Sequence, residues 1–418
     1  MKISDIRPEV YSMADEAQKR LAGRFAGIDY TAEMNTGKVM EAFQNNRVSD
    51  ACFAGTTGYG YDDMGREVLD KLYAEVFGAE AALVRIGFVN GTHALTAAMF
   101  ALVKPGDTIL AATGMPYDTL RTAIGISGNS HGSLKFYGID YAQVDLSADG
   151  GPDYEAIAKA AADSKVAAVM VQRSRGYEDR KALTIEEIEK ICRTVKAVNP
   201  NANIMVDNCY GEFTDILEPT QVGADIMAGS LIKNPGGGLA PTGGYVAGKK
   251  ELVDRAAMRL TTPGIGGECG STLGNNRLLF QGLFMAPHIV AQALKTACFC
   301  AAMMEQLGIE TSPAPEEKRS DIIQMVKLGS PESMKRFCLG IQAGAPVDSY
   351  VTPEPWEMPG YDCPVIMAAG SFIQGSSIEL SADGPIREPC TVYMQGGLTY
   401  ESGKLGIMMA VSAMLDRE

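Results

Sequence analysis

The chain has 418 residues, 46% hydrophobic and 21% charged, a composition that excludes a mainly disordered or fibrous protein. A net charge of -14 leaves no basic excess for a polyanion, so nucleic acid and anionic membrane are poor partners. Nine cysteines, an odd number without a C-x-x-C pair, argue against a disulfide framework or a zinc ribbon and point to reduced cytoplasm. The 46 glycines are in excess, about 11% of the chain against about 7% in average proteins.

Residues 1–50 read as one or two helices with charges mixed in, without the apolar core of a signal peptide. ACFAGTTGYGYDDMGRE follows, where alternating Gly and Tyr forbid a helix and predict an ordered loop. A helix is expected over 65–77. Apolar runs then alternate with helical stretches: AALVRI, a helix over 92–103, DTILAA, a helix over 117–124, KFYGIDY, and a helix over 154–162. The alternation continues with VAAVMVQ, a helix over 185–198, NIMVD, DIMAGS and GGYVAG. This pattern predicts an α/β fold with a mostly parallel central sheet flanked by helices. A long helix over about 286–307 carries Lys295 in its middle and falls short of a membrane span. Beyond it, SPAPEEKRSD reads as an exposed loop. CPVIMAAGSFI, SSIELSA, TVYMQGGL and a closing helix from about Gly403 then read as a smaller α+β layer. The expected organisation is an N-terminal helical arm and inter-subunit loop (1–60), a large α/β domain (61–285) and the long helix with a small C-terminal domain (286–418).

Ligands of a parallel sheet bind at the carboxyl ends of its strands. NIMVD ends there in Asp207, and DIMAGS is followed by Lys233 before a run of Gly and Pro. Singly these read as a capping aspartate and a loop lysine. Together they are the pair that pyridoxal phosphate requires: an amine for the Schiff base and a carboxylate to keep the pyridine nitrogen protonated. Asn90, Gly91, Thr92 and His93 stand where a strand gives way to a helix, and free backbone N–H groups there favour a dianionic phosphate.

With those residues in place, the sequence resembles the cystathionine β-lyase and methionine γ-lyase group of fold-type I pyridoxal phosphate enzymes, whose fold is aspartate aminotransferase-like. The likeness rests on Asp207-Asn208-Cys209-Tyr210, Ser230-Leu231-Ile232-Lys233, Pro105-Gly106-Asp107 and Tyr117. NGTHAL, PYDTL, QRSRGY, SLIKNPGGG, SSIELSADGPIR and YMQGGLTYE are similar to the methionine γ-lyase-like proteins described as aluminium resistance proteins, over nearly the whole chain. The resemblance implies that Lys233 forms the internal aldimine and moves the Cα proton, and that Asp207 pairs with the pyridinium. Gly91, Thr92 and Ser230 would bind the phosphate. Tyr117 would stack on the ring and protonate a leaving thiolate. Tyr59 would reach the neighbouring subunit's phosphate site, which implies at least a dimer and, in the group, a tetramer. The implied activity is β- or γ-elimination on a sulfur amino acid, giving thiol, α-keto acid and ammonia.

The sequence departs from that pattern in three places. Tyr61 stands where the group's loop carries an Arg, and Ile232 precedes the lysine in place of Thr. Tyr393 occupies the position of the substrate-carboxylate Arg, so Arg387 is the candidate replacement, unless it is a salt-bridging residue of the surface. Arg173 and Arg175 follow a buried strand and are further candidates for contacting substrate or cofactor.

The same lysine, aspartate and cradle would serve an aminotransferase or another amino-acid enzyme of this cofactor. A distant alternative is a serine hydrolase using Ser130 in Gly128-Asn129-Ser130-His131-Gly132, disfavoured because a strand is expected after it. GGYVAGKK misses the Ser or Thr of a P-loop, and no His or Cys pair has metal-ligand spacing.

Overall fold

In the computed structural model of the protein, residues 1–128, 131–358 and 363–416 are described. The chain forms two compact units, one of residues 35–284 and one of residues 1–34 with 285–418. Residues 1–34, expected within an N-terminal arm, group with the C-terminal segment. They hold α1 (Pro8–Arg20) and the start of α2 (Ala22–Asn45).

The larger unit contains, in order, α3 (Met64–Val76), β1 (Ala81–Arg85), α4 (Gly91–Leu102), β2 (Thr108–Ala111), α5 (Asp118–Ile124), β3 (Asp140–Gln143) and α6 (Tyr154–Ala161). It continues with β4 (Val166–Gln172), α7 (Ile185–Val198), β5 (Asn203–Asp207), β6 (Ile226–Ser230), β7 (Gly244–Gly248) and α8 (Lys250–Leu260). The seven strands form one sheet in the order β1-β7-β6-β5-β4-β2-β3, parallel from β6 to β3, with β7 antiparallel to both neighbours. Strands β2, β5, β6 and β7 are almost wholly buried, as their unbroken apolar runs require of a sheet covered on both faces. Helix α7 shows how sequence sets a boundary. Thr184 and Glu187 form a reciprocal capping box, and Ile185, Ile188, Ile191, Cys192 and Val195 recur at helical spacing on its buried stripe. Each such aliphatic side chain stabilises the unit by roughly 1.5–3 kcal/mol relative to exposure.

Helix α9 (Asn276–Gln306) starts ten residues before its expected position, and the division between the units falls inside it. Among the described residues it alone is long and apolar enough to cross a bilayer, and its apolar stretch is mostly buried in the protein. The smaller unit then adds β8 (Thr311–Ser312), β9 (Ile323–Lys327), α10 (Pro331–Ala343), β10 (Val365–Ala369), β11 (Ser381–Pro385), β12 (Thr391–Gln395) and α11 (Tyr400–Leu415). Its strands form a second, antiparallel sheet in the order β10-β11-β12-β9-β8.

Two expected strands shift. The segment KFYGIDY begins as a short 3-10 turn at Lys135–Tyr137, because Gly138 turns the chain in the left-handed region at φ 76°, and β3 starts only at Asp140. SSIELSA is mostly loop. The buried Glu379 carboxylate accepts the Phe372 and Ile373 N–H groups at 2.9 and 3.0 Å, which bends the segment out of the ladder until Ser381.

Candidate functional site

Strands β4, β5 and β6 end side by side at Gln172, Asp207 and Ser230, with Gln172 opposite Asp207 and Asp207 opposite Ala228. Sheet register therefore brings the carboxylate and the start of the lysine segment to one edge. Asp207 is buried, and its Oδ1 accepts the Cys209 N–H at 3.1 Å. Lys233 lies three residues beyond β6, half-buried, its Nζ 3.8 Å from the centre of the Tyr210 ring. The next residue, Asn234, donates its side-chain amide to the Glu212 carbonyl at 2.9 Å and so ties the lysine turn to the loop after β5.

The cradle forms where β1 leads into α4. Asn90 caps the helix by accepting the His93 N–H at 2.9 Å, which commits that donor to the cap. The His93 imidazole accepts the Val89 N–H at 3.3 Å through Nδ1 and packs edge-on against Phe88. Burial, with Arg259 nearby, lowers its pKa and favours the neutral ring. The helix start faces β6: a Cβ on Gly91 would lie 3.2 Å from Ser230 Cβ and 3.6 Å from Cys209 Sγ. Ser230 is itself buried, and its Oγ makes no hydrogen bond among the described residues. An orphaned hydroxyl facing a helix N-terminus kept open by glycine fits the phosphate of pyridoxal phosphate. Gly91→Ala is accordingly expected to weaken cofactor binding about tenfold or more, about 1.4 kcal/mol, in a fluorescence titration with pyridoxal phosphate.

Tyr117 precedes α5 on the same edge. Its N–H donates to Gln172 Oε1 at 2.9 Å, and its ring packs over Gly176, 6.2 Å between centroids from Tyr177. Arg180, which sequence reasoning missed, is buried and donates to the Thr113 and Gln172 carbonyls at 2.8 and 2.9 Å, bracing the ends of β2 and β4.

Burial dominates the electrostatics. It pushes the Asp207 carboxyl above the usual carboxylate range, and Lys233, the Cys209 N–H and Arg180 only partly offset this. A cation facing Asp207, such as a protonated pyridine, would complete the compensation. Burial works against the Lys233 ammonium too, but Cys209, Tyr210, Asp207 and Glu212 outweigh it and raise its pKa.

Glu212 is fully buried. Its Oε1 accepts the Tyr245 hydroxyl at 2.8 Å while Oε2 makes no hydrogen bond among the described residues. Burial lifts its carboxyl to about 8 from an ordinary value of 4.5. Between those values the folded chain keeps a proton that the unfolded chain releases, so this group's contribution to stability declines as pH rises through that window. Glu212→Gln keeps the acceptor for Tyr245 and is expected to gain stability over the wild type at pH 8 but not at pH 4.5, in urea unfolding at the two pH values.

The three candidate arginines occupy different surroundings. Arg173, expected at the ligand edge, is 0% exposed and turned into the protein. It donates to Asn208 Oδ1 at 2.8 Å and Thr214 Oγ1 at 3.1 Å and lies 3.5 Å from the equally buried Glu218 carboxylate. Gly211 makes room for it, since a Cβ there would lie 2.5 Å from Arg173 Cδ. Arg173 thus acts as a strut for the loop after β5. Arg175 is fully buried two residues on. In the smaller unit, Arg387 is exposed in the turn joining β11 and β12, and Tyr393 is buried within β12 opposite Met325 and Asp383. Ser130 lies outside the described residues. His131 and His288, its only histidine partners apart from His93, are each exposed.

Tyr59 is 75% exposed and stacks on Tyr61 with centroids 5.6 Å apart. The glycine-rich segment 264–274 seats this loop: Gly270 N–H donates to the Tyr59 carbonyl at 2.9 Å, and a Cβ on Gly60 would lie 2.6 Å from Ser271 N. Arg66, almost fully buried, donates to the carbonyls of Gly60, Gly270 (2.8 Å) and Glu268 (3.1 Å). The Asp63 carboxylate accepts from Thr56, Thr272 and Asn276. Between the two segments and the end of β1 lies a cavity of about 640 Å³ lined by Tyr59, Arg66, Arg85, Gly87, Thr261 and Cys269 among others, with neither Lys233 nor Asp207 in its wall.

The methionine gamma-lyase family model matches residues 10–415. The chain is 49% identical over 406 residues to the protein YnbB of Bacillus subtilis (strain 168), covering 97% of this chain and 96% of that one. A crystal structure from Clostridium novyi NT, described as a carbon-sulfur lyase involved in aluminum resistance, superimposes with a TM-score of 0.94. It is 52% identical and covers 98% of this chain and 96% of that one. The pyridoxal phosphate-dependent protein YhfS of Escherichia coli shares the fold, with a TM-score of 0.61 at 18% identity over 90% of this chain and 94% of that one. L-methionine gamma-lyase of Pseudomonas putida is 27% identical over 211 residues, 50% of this chain and 48% of that one. With the family model matched almost end to end onto a fold-type I α/β architecture, the chain belongs to the methionine gamma-lyase family.

Proposed function

We propose that the protein is a pyridoxal phosphate-dependent carbon-sulfur lyase acting by β- or γ-elimination on a sulfur amino acid such as cystathionine, methionine or a cysteine derivative. The observation that carries this reading is the convergence of Lys233, Asp207 and the unsatisfied Ser230 hydroxyl at one sheet edge beside Gly91, in a chain of this family. When bound, pyridoxal phosphate supplies an electron sink for charge developing at the substrate Cα.

The chain's own residues supply the rest. The Lys233 Nζ would hold the cofactor through its aldehyde and would serve as the base that accepts the Cα proton. Asp207 would hold a proton on the pyridine nitrogen, since its buried carboxyl is stabilised as the anion by a cationic partner. Gly91 and Thr92 N–H groups and the Ser230 hydroxyl donate to the phosphate. Tyr117 would stack on the cofactor ring and would donate a proton to the leaving thiolate. Tyr59, exposed on a loop held by segment 264–274, would complete the phosphate site of a second copy, which makes the working unit at least a dimer and, by our reading, a tetramer. The preference for sulfur amino acids draws on the descriptions of the C. novyi and P. putida relatives.

The test is a panel of amino acids scored for thiol, ammonia and α-keto acid, with and without an added keto-acid acceptor. Thiol and keto acid without an acceptor support the lyase. Product only with an acceptor would make the protein an aminotransferase, and a colourless protein that fixes no cofactor on borohydride treatment would remove pyridoxal chemistry altogether. Arg387→Ala is expected to raise KM about tenfold or more for the preferred substrate with little change in kcat, as loss of a carboxylate clamp does. An unchanged KM would take Arg387 out of the substrate site.

A further inference from the structure

Tyr210 has no part in the chemistry described above, yet it holds a costly conformation against the central lysine. Its φ is +71°, in the left-handed region that bulky residues avoid, and Phe213 three residues later is at +63°. The surroundings impose this path. Asn208 accepts from Arg173 and donates its amide to Glu218 at 3.0 Å, and the Cys209 N–H is bound to Asp207. The Gly211 N–H returns to the Asn208 carbonyl at 2.9 Å, and the Phe213 N–H is held by Glu218 at 2.8 Å. A buried ion-pair strut thus fixes a strained turn that sets the Tyr210 ring 3.8 Å from Lys233 Nζ.

We propose that Tyr210 is a positioning residue that acts through Lys233: the face of its ring stabilises positive charge on Nζ and fixes the direction from which that nitrogen meets cofactor and substrate. This rests on the reading of Lys233 as the cofactor lysine. The ring's negative face attracts a cation held over it, more strongly where water is excluded. The other charged or titratable groups facing Nζ are Asp207 at the end of β5 and Cys209 and Glu212 in the loop after it, and Arg180 acts on Asp207 as well. All are of fixed identity in the variants below, so a change can be assigned to the ring.

The readout is the pH at which the visible band of protein-bound pyridoxal phosphate titrates, without substrate, in the holoenzyme. Tyr210→Leu is expected to shift that midpoint down by about one unit, a tenfold change in the proton equilibrium on Nζ. Because leucine in a left-handed turn could unfold the loop, the decisive series keeps the ring: Tyr210→Phe, then the same position with mono- and trifluorinated phenylalanine. These share one shape while the negative ring face is progressively withdrawn, so the midpoint should fall stepwise along the series. A midpoint that stays constant from Phe to the trifluorinated ring overturns the proposal, as does a Leu variant that titrates like the wild type. A wild-type protein that develops no visible band with pyridoxal phosphate would instead overturn the reading of Lys233 itself, and this proposal with it.

Discussion

Lys233→Ala is expected to lower thiol and keto-acid release by at least about 10³–10⁴-fold, with no borohydride-fixed mass at that position. Loss of a positioned general base alone accounts for about 10²–10⁴, and the same substitution removes the amine that anchors the cofactor. Lys233 also has a structural part, because it is a cation facing buried Asp207 and Glu212, with Arg180 also acting on Asp207. Removing it should push the Asp207 carboxyl still higher and cost stability, which would blur the meaning of an inactive protein. Lys233→Arg separates the two roles: it keeps a cation near Asp207 while removing the primary amine. The expected result is an Arg variant as inactive as Ala but closer to wild type in urea unfolding. An Arg variant retaining more than about a tenth of wild-type activity would show that the amine is not the reacting group.

What the sequence could and could not announce follows from the range of the forces involved. Helix α7 matches its expected bounds because its capping box and apolar stripe are local signals, each within a few residues. Asp207 and Lys233 were legible for a similar reason: strand ends are marked by where apolar runs stop, and a parallel sheet aligns those ends. Helix α10 was missed although Ser330 followed by Pro331 is an ordinary helix start, and Ser330 does cap it by accepting the Ser333 N–H. The bend at Glu379 and the inward turn of Arg173 were not legible, since the first depends on a carboxylate buried against two backbone donors six and seven residues before it and the second on space left by a single glycine. The glycine excess is similar. Composition counts the glycines without showing which approach a ligand and which approach backbone. The structure uses segment 264–274 to let two loops touch backbone to backbone under Tyr59. Tyr210 stood inside the family motif and carried no separate signal, because its contact with Lys233 arises from a positive φ that residue type disfavours.

Glu218→Ala and Arg173→Ala are each expected to destabilise the larger unit by about 3–5 kcal/mol, since each leaves the other charge buried without its partner. Both side chains are 0% exposed, and their oxygen and nitrogen lie 3.5 Å apart. Glu218 is additionally held by the Asn208 amide and the Phe213 N–H, so its carboxylate would keep two donors after the arginine is lost. Arg173 without Glu218 keeps only neutral acceptors, Asn208 and Thr214. The glutamate substitution should therefore be the worse of the two. Replacing both together with Met and Leu, which fill similar space, should cost less than the sum of the single losses, and a double-mutant cycle in urea unfolding measures that coupling. The function is expected to follow the strut. Any variant that releases the turn lets Tyr210 leave the left-handed region and withdraw from Lys233, so the visible-band midpoint should move with the loss of the pair even in samples that remain folded at assay temperature. If the double replacement restores stability but not the midpoint, the ion pair is kept for the geometry it imposes on Tyr210 rather than for the stability of the fold.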